Sequence, residues 1–353
     1  MRILHTADVH LKELQDARWQ TLESLLQIGK RERIDLFIIC GDLFDSEGAS
    51  EQLRPHIRSI FTGNGFPVVI LPGNHDNSSY GEGKYFGEDV FVVRDPSARF
   101  TLKDLVVSGL PFEAASEANI LHTLHLMQQR FDPEKKNILL FHGELLDTFY
   151  TREDFGQEGT ERYMPVRLSS FEGMKVDYIL AGHFHRNFDV RVIPEGGYFV
   201  YPGSPVSVSR RETGRRKVNL FDVGSPPKEY HLDSHHYEEL DIRLDPFSGT
   251  DPFMIMAEKI GVLHPSARIF LTVRGYIDSR NLGLNEEEMV KQLEKDLTER
   301  CEERNYLFRD IKTVLEDELY GRFVEKLERK EYGEEKKKGL LDLAIRAMME
   351  AEL

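Results

Sequence analysis

Residues 34–45 read Ile34-Asp35-Leu36-Phe37-Ile38-Ile39-Cys40-Gly41-Asp42-Leu43-Phe44-Asp45. An unbroken apolar run of this length is typical of a strand that is buried on both faces, as in a parallel sheet. The glycine that follows permits a sharp turn. The aspartates after it carry carboxylates, which bind metal ions. The sequence therefore predicts a buried strand that delivers possible metal ligands to its carboxyl end.

The same arrangement recurs through the first two hundred residues. Short apolar runs that stop at polar turns are found at residues 2–6, 35–40, 68–71, 105–108, 137–141 and 178–180. Helix-like apolar periods lie between several of them, at residues 19–28 and 53–61. Alternating strands and helices predict a layered α/β domain.

Five short motifs place metal-binding side chains directly after predicted strands. They are Asp8-Val9-His10, Gly41-Asp42-Leu43-Phe44-Asp45, Gly73-Asn74-His75-Asp76, His142-Gly143 and Gly182-His183-Phe184-His185. Parallel strands bring their carboxyl ends to one edge of a sheet, so we expect these residues to converge there. Aspartate, asparagine and histidine without thiolate suit Mn²⁺, Fe or Zn²⁺ better than Ca²⁺ or Mg²⁺ alone. The number of candidates exceeds the needs of one ion, and two ions about 3.5–4 Å apart would clamp a phosphate, which points to phosphoester hydrolysis.

The pattern of predicted elements changes in the second half of the chain. Residues 198–201 and 218–223 are predicted as antiparallel strands separated by a basic turn, and Gly224-Ser225-Pro226-Pro227-Lys228 suggests a domain boundary. We expect a large domain over residues 1–230, a small βαβαβ domain over 231–315 and a helical tail over 316–353. Within the small domain, the pattern predicts a helix over 285–304 and a strand over 307–314. The tail ends in an amphipathic helix that needs a surface to pack on, either its own domain or a partner.

A basic run interrupts the acidic chain near residue 214. Five of its residues carry positive charge, namely Arg210, Arg211, Arg215, Arg216 and Lys217. It follows the Gly203-Ser204-Pro205 turn, and we interpret it either as a phosphate-binding patch in a hairpin turn or as an ordinary solvated turn. The sequence leaves both interpretations open.

The ordered motifs resemble those of the calcineurin-like metallophosphoesterase superfamily. The resemblance implies a four-layer β-sandwich flanked by helices, with a small α/β cap domain and a C-terminal helical tail. It also implies the roles of the site residues. One ion would be held by Asp8, His10 and His185, the other by Asn74, His142 and His183, with Asp42 as the bridge and His75 as the general acid. Asp45 is expected to support the ligands instead of binding metal.

Within that superfamily, the first 225 residues or so are similar to the Mre11/SbcD DNA nuclease family, notably in residues 3–10 and in Tyr201-Pro202-Gly203-Ser204-Pro205. The resemblance implies a Mn²⁺-dependent DNA phosphodiesterase that works with a Rad50/SbcC-like ABC ATPase, and a homodimer is a further candidate assembly. Many archaeal and eukaryotic members have histidine where Asp45 stands, so the aspartate favours a bacterial-type subgroup. The competing interpretations are a hydrolase of small phosphoesters such as cyclic nucleotides, and a scaffold with a vestigial metal centre.

The composition of the chain argues against several classes of protein. The chain has 353 residues, 40% of them hydrophobic, and a formal net charge of −15, which argues against indiscriminate nucleic-acid binding by the whole surface. The two cysteines, Cys40 and Cys301, form no metal-spaced pair. Residues 1–8 lack a signal-peptide pattern, and no apolar run approaches transmembrane length. A cytoplasmic enzyme is therefore expected.

Overall fold

The computed structural model describes residues 1–147, 163–194, 196–297 and 299–351. The chain divides into two compact units, Met1–Tyr237 and Glu238–Leu353. This boundary lies a few residues after the one expected at residue 230, and the residues of the expected tail belong to the second unit. The last two residues of that tail lie outside the described part of the chain.

Twelve strands and three α-helices occur among the described residues before the end of the first unit. The strands are β1 Arg2–Thr6, β2 Leu36–Cys40, β3 Val68–Leu71, β4 Val90–Val92, β5 Arg99–Leu102, β6 Leu105–Leu110, β7 Lys136–His142, β8 Tyr178–Gly182, β9 Asp189–Val192, β10 Tyr198–Tyr201, β11 Lys217–Asp222 and β12 Glu229–His231. The helices are α1 Ala17–Glu32, α2 Glu47–Phe61 and α3 Glu117–Gln128. Short 3₁₀ helices occur at Asn77–Tyr80 and Leu168–Phe171. The carboxylate of Asp16 caps α1 by accepting a hydrogen bond from the backbone N–H of Trp19.

The strands form two six-stranded sheets, ordered β12-β11-β1-β2-β3-β4 and β5-β6-β7-β8-β10-β9. Strands β1 to β4 are parallel, and so are β6, β7, β8 and β10. Their registers align the strand ends, with Thr6 beside Ile39 in the first sheet and His142 beside Gly182 in the second. The turns that carry the five motifs therefore leave each sheet at its carboxyl edge.

The two sheets pack face to face with helices on both outer surfaces. Ile38 of β2 and Leu140 of β7 belong to the apolar core between the sheets. Their neighbours Phe37 and Leu139 point the other way, into cores that the first sheet shares with α1 and α2 and the second with α3. Side chains of a strand alternate between its two faces, so strands covered on both faces read as continuous apolar runs. The expected four-layer α/β sandwich is confirmed.

The expected antiparallel pairing of residues 198–201 with 218–223 is wrong. Strand β10 lies in the second sheet, parallel to β8 and antiparallel to β9. Strand β11 lies in the first sheet, antiparallel to β1. Residues 202–216 are therefore not a hairpin turn but a connection between the two sheets.

From residue 236 the chain forms a smaller α/β structure. Its elements are β13 His236–Leu244, α4 Pro252–Gly261, β14 Ala267–Ile277, α5 Ser279–Leu282, α6 Glu286–Asp296, β15 Cys301–Asp310, α7 Lys312–Leu315, α8 Glu318–Glu328 and α9 Glu334–Ala351. The sheet order is β13-β14-β15, and β15 runs parallel to β14. The helix expected over 285–304 ends at Asp296, and the strand expected over 307–314 begins instead at Cys301. The reason is tertiary packing, because Cys301 and Phe308 are buried in the same core as Met289 of α6.

The last helix packs within its own unit. Ile345 and Met349 of α9 are buried together with Tyr276, Ile311 and Val314. Helix α9 begins at Glu334, so most of the lysine- and glutamate-rich run at residues 331–338 is helical. Among the described residues, no helix combines the length and the apolar character needed to cross a membrane.

Candidate metal centre

Four of the predicted ligands lie on left-handed backbone in the turns that follow the strands. The φ angle is 55° at Asp8, 51° at His10, 50° at Asp42 and 92° at His183. Residues with a side chain seldom adopt such angles, and each costs on the order of 1–3 kcal/mol. The surrounding sheets hold these turns in a conformation that carries successive side chains into one crevice.

Two glycines allow the turns to approach each other closely. A Cβ atom on Gly73 would lie 2.1 Å from Oδ1 of Asp42, and one on Gly41 would lie 1.9 Å from Nδ1 of His142. Gly41 also has a φ of 87°. Any side chain at these positions would displace a predicted ligand, which explains the glycines in the Gly-Asp and Gly-Asn-His motifs.

The first cluster of donors contains Asp8, His10 and His185, whose nearest ligand atoms all lie within 4.8 Å of one another. Nε2 of His185 is 3.6 Å from Oδ1 of Asp8 and 3.4 Å from Nε2 of His10. The Asp8 carboxylate accepts hydrogen bonds from the backbone N–H of His183 at 3.0 and 3.1 Å. All three side chains of the cluster are buried.

The second cluster contains Asn74 and His142, with His183 beside them. Nε2 of His142 lies 3.0 Å from Oδ1 of Asn74, and the ring centroids of His142 and His183 are 5.3 Å apart. Nδ1 of His142 donates to the carbonyl of Cys40 at 2.9 Å. That hydrogen bond leaves the lone pair of Nε2 directed toward the cluster.

Asp42 lies between the two clusters. Its Oδ2 is 3.3 Å from Nε2 of His142 and 3.7 Å from Nε2 of His10. Its Oδ1 accepts from the backbone N–H of His75 at 2.9 Å, whereas Oδ2 is buried and makes no hydrogen bond. A buried carboxylate oxygen without a donor is costly unless a cation compensates it. This atom and the nitrogen and oxygen donors around it fit a divalent metal centre.

Burial and mutual charge set the protonation of these groups. Burial raises the pKa of Asp8 to about 6, and it lowers the pKa of His10 and His183 well below the ordinary value. Burial opposes both charges of the Asp42–His142 pair. The electrostatic attraction between the Asp42 carboxylate and the His142 imidazolium outweighs this effect of burial, so the pKa of Asp42 falls and that of His142 rises to about 9. A metal ion would take the place of the proton on Nε2 of His142.

His75, the predicted general acid, is more exposed than the buried donors. Its ring centroid is 4.8 Å from that of His10, and a ring nitrogen lies within 4.8 Å of donor atoms of His10 and Asp42. The side chain borders a cleft of about 650 Å³ that reaches the first cluster. The cleft is lined by His10, Lys12, Arg18, Asp45, His75, His185, Val208, Ser209, Arg210, Arg211, Glu212 and Tyr237.

Asp45 lies at the edge of the first cluster. Its Oδ1 is 3.7 Å from Nδ1 of His10 and accepts a hydrogen bond from Arg18 at 3.1 Å, and its Oδ2 is 3.3 Å from Nζ of Lys12. Arg18 also donates to the backbone carbonyl of His10. The carboxylate thus faces the side of His10 that is turned away from the other ligands.

The basic run separates into three environments. Arg210 and Arg211 line the cleft. Arg215 pairs with Asp233 and Lys217 pairs with Glu229. Arg216 is 3% exposed and donates to Ser204 and to the carbonyl of His185. The interpretation of Arg216 as a phosphate contact therefore needs correction, because its guanidinium is enclosed by protein acceptors.

Glu212, which the sequence did not predict as part of the centre, lies beside the first cluster. It is 1% exposed, and its Oε1 lies 3.4 Å from Nδ1 of His185. The available signal was one acidic residue inside a basic run, which by itself gives no indication of burial. Glu212 reaches the centre because residues 202–216 connect one sheet to the other, and the sequence did not predict that connection.

A sandwich of two mixed sheets whose carboxyl edges gather carboxylates and imidazoles into paired clusters defines a metallophosphoesterase. The profile of the calcineurin-like phosphoesterase family matches residues 1–187, more than half of the chain, and the chain belongs to that family. It is accordingly a hydrolase that acts on phosphoester bonds.

Comparison with individual proteins gives more distant likenesses. The chain is 26% identical over 264 residues to the SbcD subunit of the nuclease SbcCD of Staphylococcus epidermidis, a match that covers 63% of this chain and 66%, just under two thirds, of that protein. Among solved structures, TT1561 of Thermus thermophilus gives a TM-score of 0.45 at 13% identity, covering 65% of this chain and 98% of that one. A dimetal phosphatase from Danio rerio gives 0.43 at 11% identity, covering 62% and 91%.

Proposed function

We propose that this chain is a Mn²⁺-dependent DNA phosphodiesterase with a two-metal centre. The observation that carries the proposal is the position of Asp42, whose buried Oδ2 lies between His142 and His10 with no hydrogen-bond donor. A carboxylate oxygen in that position suits a bridge between two cations. The cleft beside it gives a phosphodiester access to the centre.

Asp8, His10 and His185 would hold one ion, and Asn74, His142 and His183 the other. When bound, such ions polarise a phosphoryl oxygen and make water a nucleophile near neutral pH. The donor set contains no thiolate, which suits Mn²⁺ and also Fe or Zn²⁺.

His75 acts as the general acid in this proposal. Its exposed ring borders the cleft, and its backbone N–H is fixed to Asp42 at 2.9 Å. A protonated imidazole there gives its proton to the leaving oxygen as the phosphoester bond breaks. General acid catalysis of this kind contributes roughly 10²–10⁴-fold to the rate.

DNA is the proposed substrate because cationic side chains surround the mouth of the centre on an otherwise acidic chain. Lys12, Arg18, Arg210 and Arg211 line the same cleft as His75. A local cluster of this kind binds phosphate groups although the net charge is −15. The relative named as part of a nuclease supports the same choice.

An SbcC-like ATPase is the proposed partner, since that relative is named as one component of SbcCD. Helices α8 and α9 carry exposed apolar side chains, with Leu319 66% and Leu343 64% exposed. Such side chains suit docking of a partner helix.

Small phosphoesters such as cyclic nucleotides are the alternative substrates. The strongly acidic surface favours them, because long-range repulsion opposes DNA but affects a small substrate less. The same centre would serve either reaction.

The experiment uses the full chain after removal of metal with a chelator. Labelled single- and double-stranded DNA and a panel of cyclic nucleotides are incubated with Mn²⁺, Mg²⁺ or Zn²⁺. We expect Mn²⁺-dependent DNA cleavage that Asp42→Asn abolishes. The matched control is Asp35→Asn, because Asp35 lies before the amino end of β2, where it accepts from the backbone N–H of Arg2. Turnover of cyclic nucleotides without DNA cleavage would establish the alternative, and no turnover of either would refute both.

A further inference from the structure

His185 has a different polar group on each side of its ring. Nε2 faces the first cluster, 3.6 Å from Asp8 and 3.4 Å from His10. Nδ1 faces Oε1 of Glu212 at 3.4 Å. A neutral imidazole carries one proton, and a carboxylate beside Nδ1 keeps the proton there. Nε2 then offers its lone pair to the cluster.

Glu212 is itself held by donors on both of its oxygens. Oε2 accepts from Oγ of Ser204 and from the backbone N–H of Val208, both at 2.9 Å. Oε1 accepts from the backbone N–H and the hydroxyl of Ser209 at 3.1 and 3.0 Å. A carboxylate that is buried and bonded in this way has one fixed orientation.

Arg216 ties this carboxylate loop to the turn that carries His185. Its guanidinium donates to the carbonyl and the hydroxyl of Ser204 at 3.0 and 2.9 Å, and also to the carbonyl of His185. The backbone N–H of Ser204 donates to the same carbonyl of His185 at 2.9 Å. The loop and the ligand turn are therefore joined through both backbone and side chains.

In the other cluster, Nδ1 of His142 donates to the backbone carbonyl of Cys40 and not to a carboxylate. We propose that Glu212 is a positioning residue for His185 and strengthens the ion site of Asp8, His10 and His185 alone. A carboxylate that orients a ligating histidine typically contributes about 10–100-fold to metal affinity. The inference rests on the two-metal centre proposed above.

The test titrates Mn²⁺ into the chelator-treated full chain by calorimetry, for the wild type, Glu212→Gln and Ser207→Ala. The Ser207 hydroxyl donates to the backbone carbonyl of Glu212 at 2.7 Å, so Ser207→Ala disturbs the same loop without touching the carboxylate. We expect two ions in the wild type and in Ser207→Ala. In Glu212→Gln, one of the two ions should bind about 10–100-fold more weakly and the other should be unchanged.

A second measurement detects the tautomer of the His185 ring directly. Nitrogen-15 NMR of the metal-free protein, at alkaline pH where the ring is neutral, should show the Nδ1–H tautomer of His185 in the wild type and in Ser207→Ala. Glu212→Gln should shift the tautomer toward Nε2–H. A change confined to protein stability would leave this signature unaltered.

Unchanged affinities in a folded Glu212→Gln, or equal weakening of both ions, would overturn the proposal. If that variant does not fold, Ser204→Ala removes one donor to Glu212 and should weaken the same single ion, and unaltered binding would count equally against the proposal. A wild type that binds no Mn²⁺ would refute the two-metal centre itself. The tautomer measurement separates that failure from a failure of Glu212, because it needs no metal.

Discussion

Arg210 and Arg211 line the cleft, whereas Arg215 and Lys217 lie outside its described lining. A double substitution, Arg210→Gln with Arg211→Gln, should therefore remove the contribution of the basic run to DNA binding. Each phosphate contact adds about 0.9 to the salt slope for duplex DNA and about 0.7 for single strands, so the slope should fall by about 1.8 or about 1.4. All five residues acting together would have given a fall of about 4.5 for the duplex.

The assay is fluorescence anisotropy of labelled duplex DNA with chelator present, so that binding is measured without cleavage. Over a fourfold increase in salt, the wild type should lose roughly 12-fold more affinity than the double variant, as a slope difference of about 1.8 requires. Arg215→Gln with Lys217→Gln is the matched control, with the same loss of charge at positions outside the described lining of the cleft. Its slope should remain close to that of the wild type.

Equal flattening of the slope in both double variants would refute this reasoning, because long-range charge and not contact in the cleft would then govern binding. An unchanged slope in both variants would show that none of these four residues contacts DNA phosphates. Hydrolysis of a small aryl phosphodiester should be alike in all three proteins, and a loss confined to Arg210→Gln with Arg211→Gln would assign these arginines to the reacting phosphate.

Three further outcomes are expected. His75→Ala should reduce DNA cleavage by roughly 10²–10⁴-fold with both metals retained, and loss of metal by mass spectrometry after dialysis would reassign His75 as a ligand. Asp42→Ala should lose metal as well as activity, since two cations would then face each other without the bridge, and an active two-metal Asp42→Ala protein would contradict the bridging role. Ile345→Ala should destabilise the second unit by about 2–5 kcal/mol in thermal unfolding. Leu343→Ala, at a 64% exposed position of the same helix, is its control, and equal melting of the two variants would show that α9 does not need its buried face.

The parallel strands could be predicted because each is a continuous apolar run that can be recognised without knowing which strands it pairs with. Strand β2 is buried on both faces, so its apolar run ends where the strand ends, and Gly41 and Asp42 mark the turn. The rule that parallel strands share a carboxyl edge accounts for Asp8 and Asp42, which both follow strands of the first sheet. His142 joins them because the second sheet packs face to face with the first. Local sequence and global topology agree at these positions.

Pairing over long distances could not be predicted in the same way. The segments that became β10 and β11 are both apolar and close in sequence, yet they belong to different sheets, because β8 and β1 provide their partners. Strand β15 contains Glu302, Glu303 and Arg304, which favour a helix locally, and its pairing with β14 overrides that preference. Glu212 combines both difficulties, since it lies on the connection between sheets and among residues of opposite charge.

The centre concentrates features that oppose folding. Asp8, His10, Asp42 and His183 adopt left-handed backbone, and Oδ2 of Asp42 is buried without a donor. Each left-handed residue costs on the order of 1–3 kcal/mol, so the apolar cores on both faces of each sheet must hold the turns in place. A bound cation would satisfy that oxygen and add about 2.7 kcal/mol of stability at one hundred times its dissociation constant. The sandwich thus supplies the rigidity, and the turns at its carboxyl edge supply ligands in a geometry that an isolated chain would not maintain.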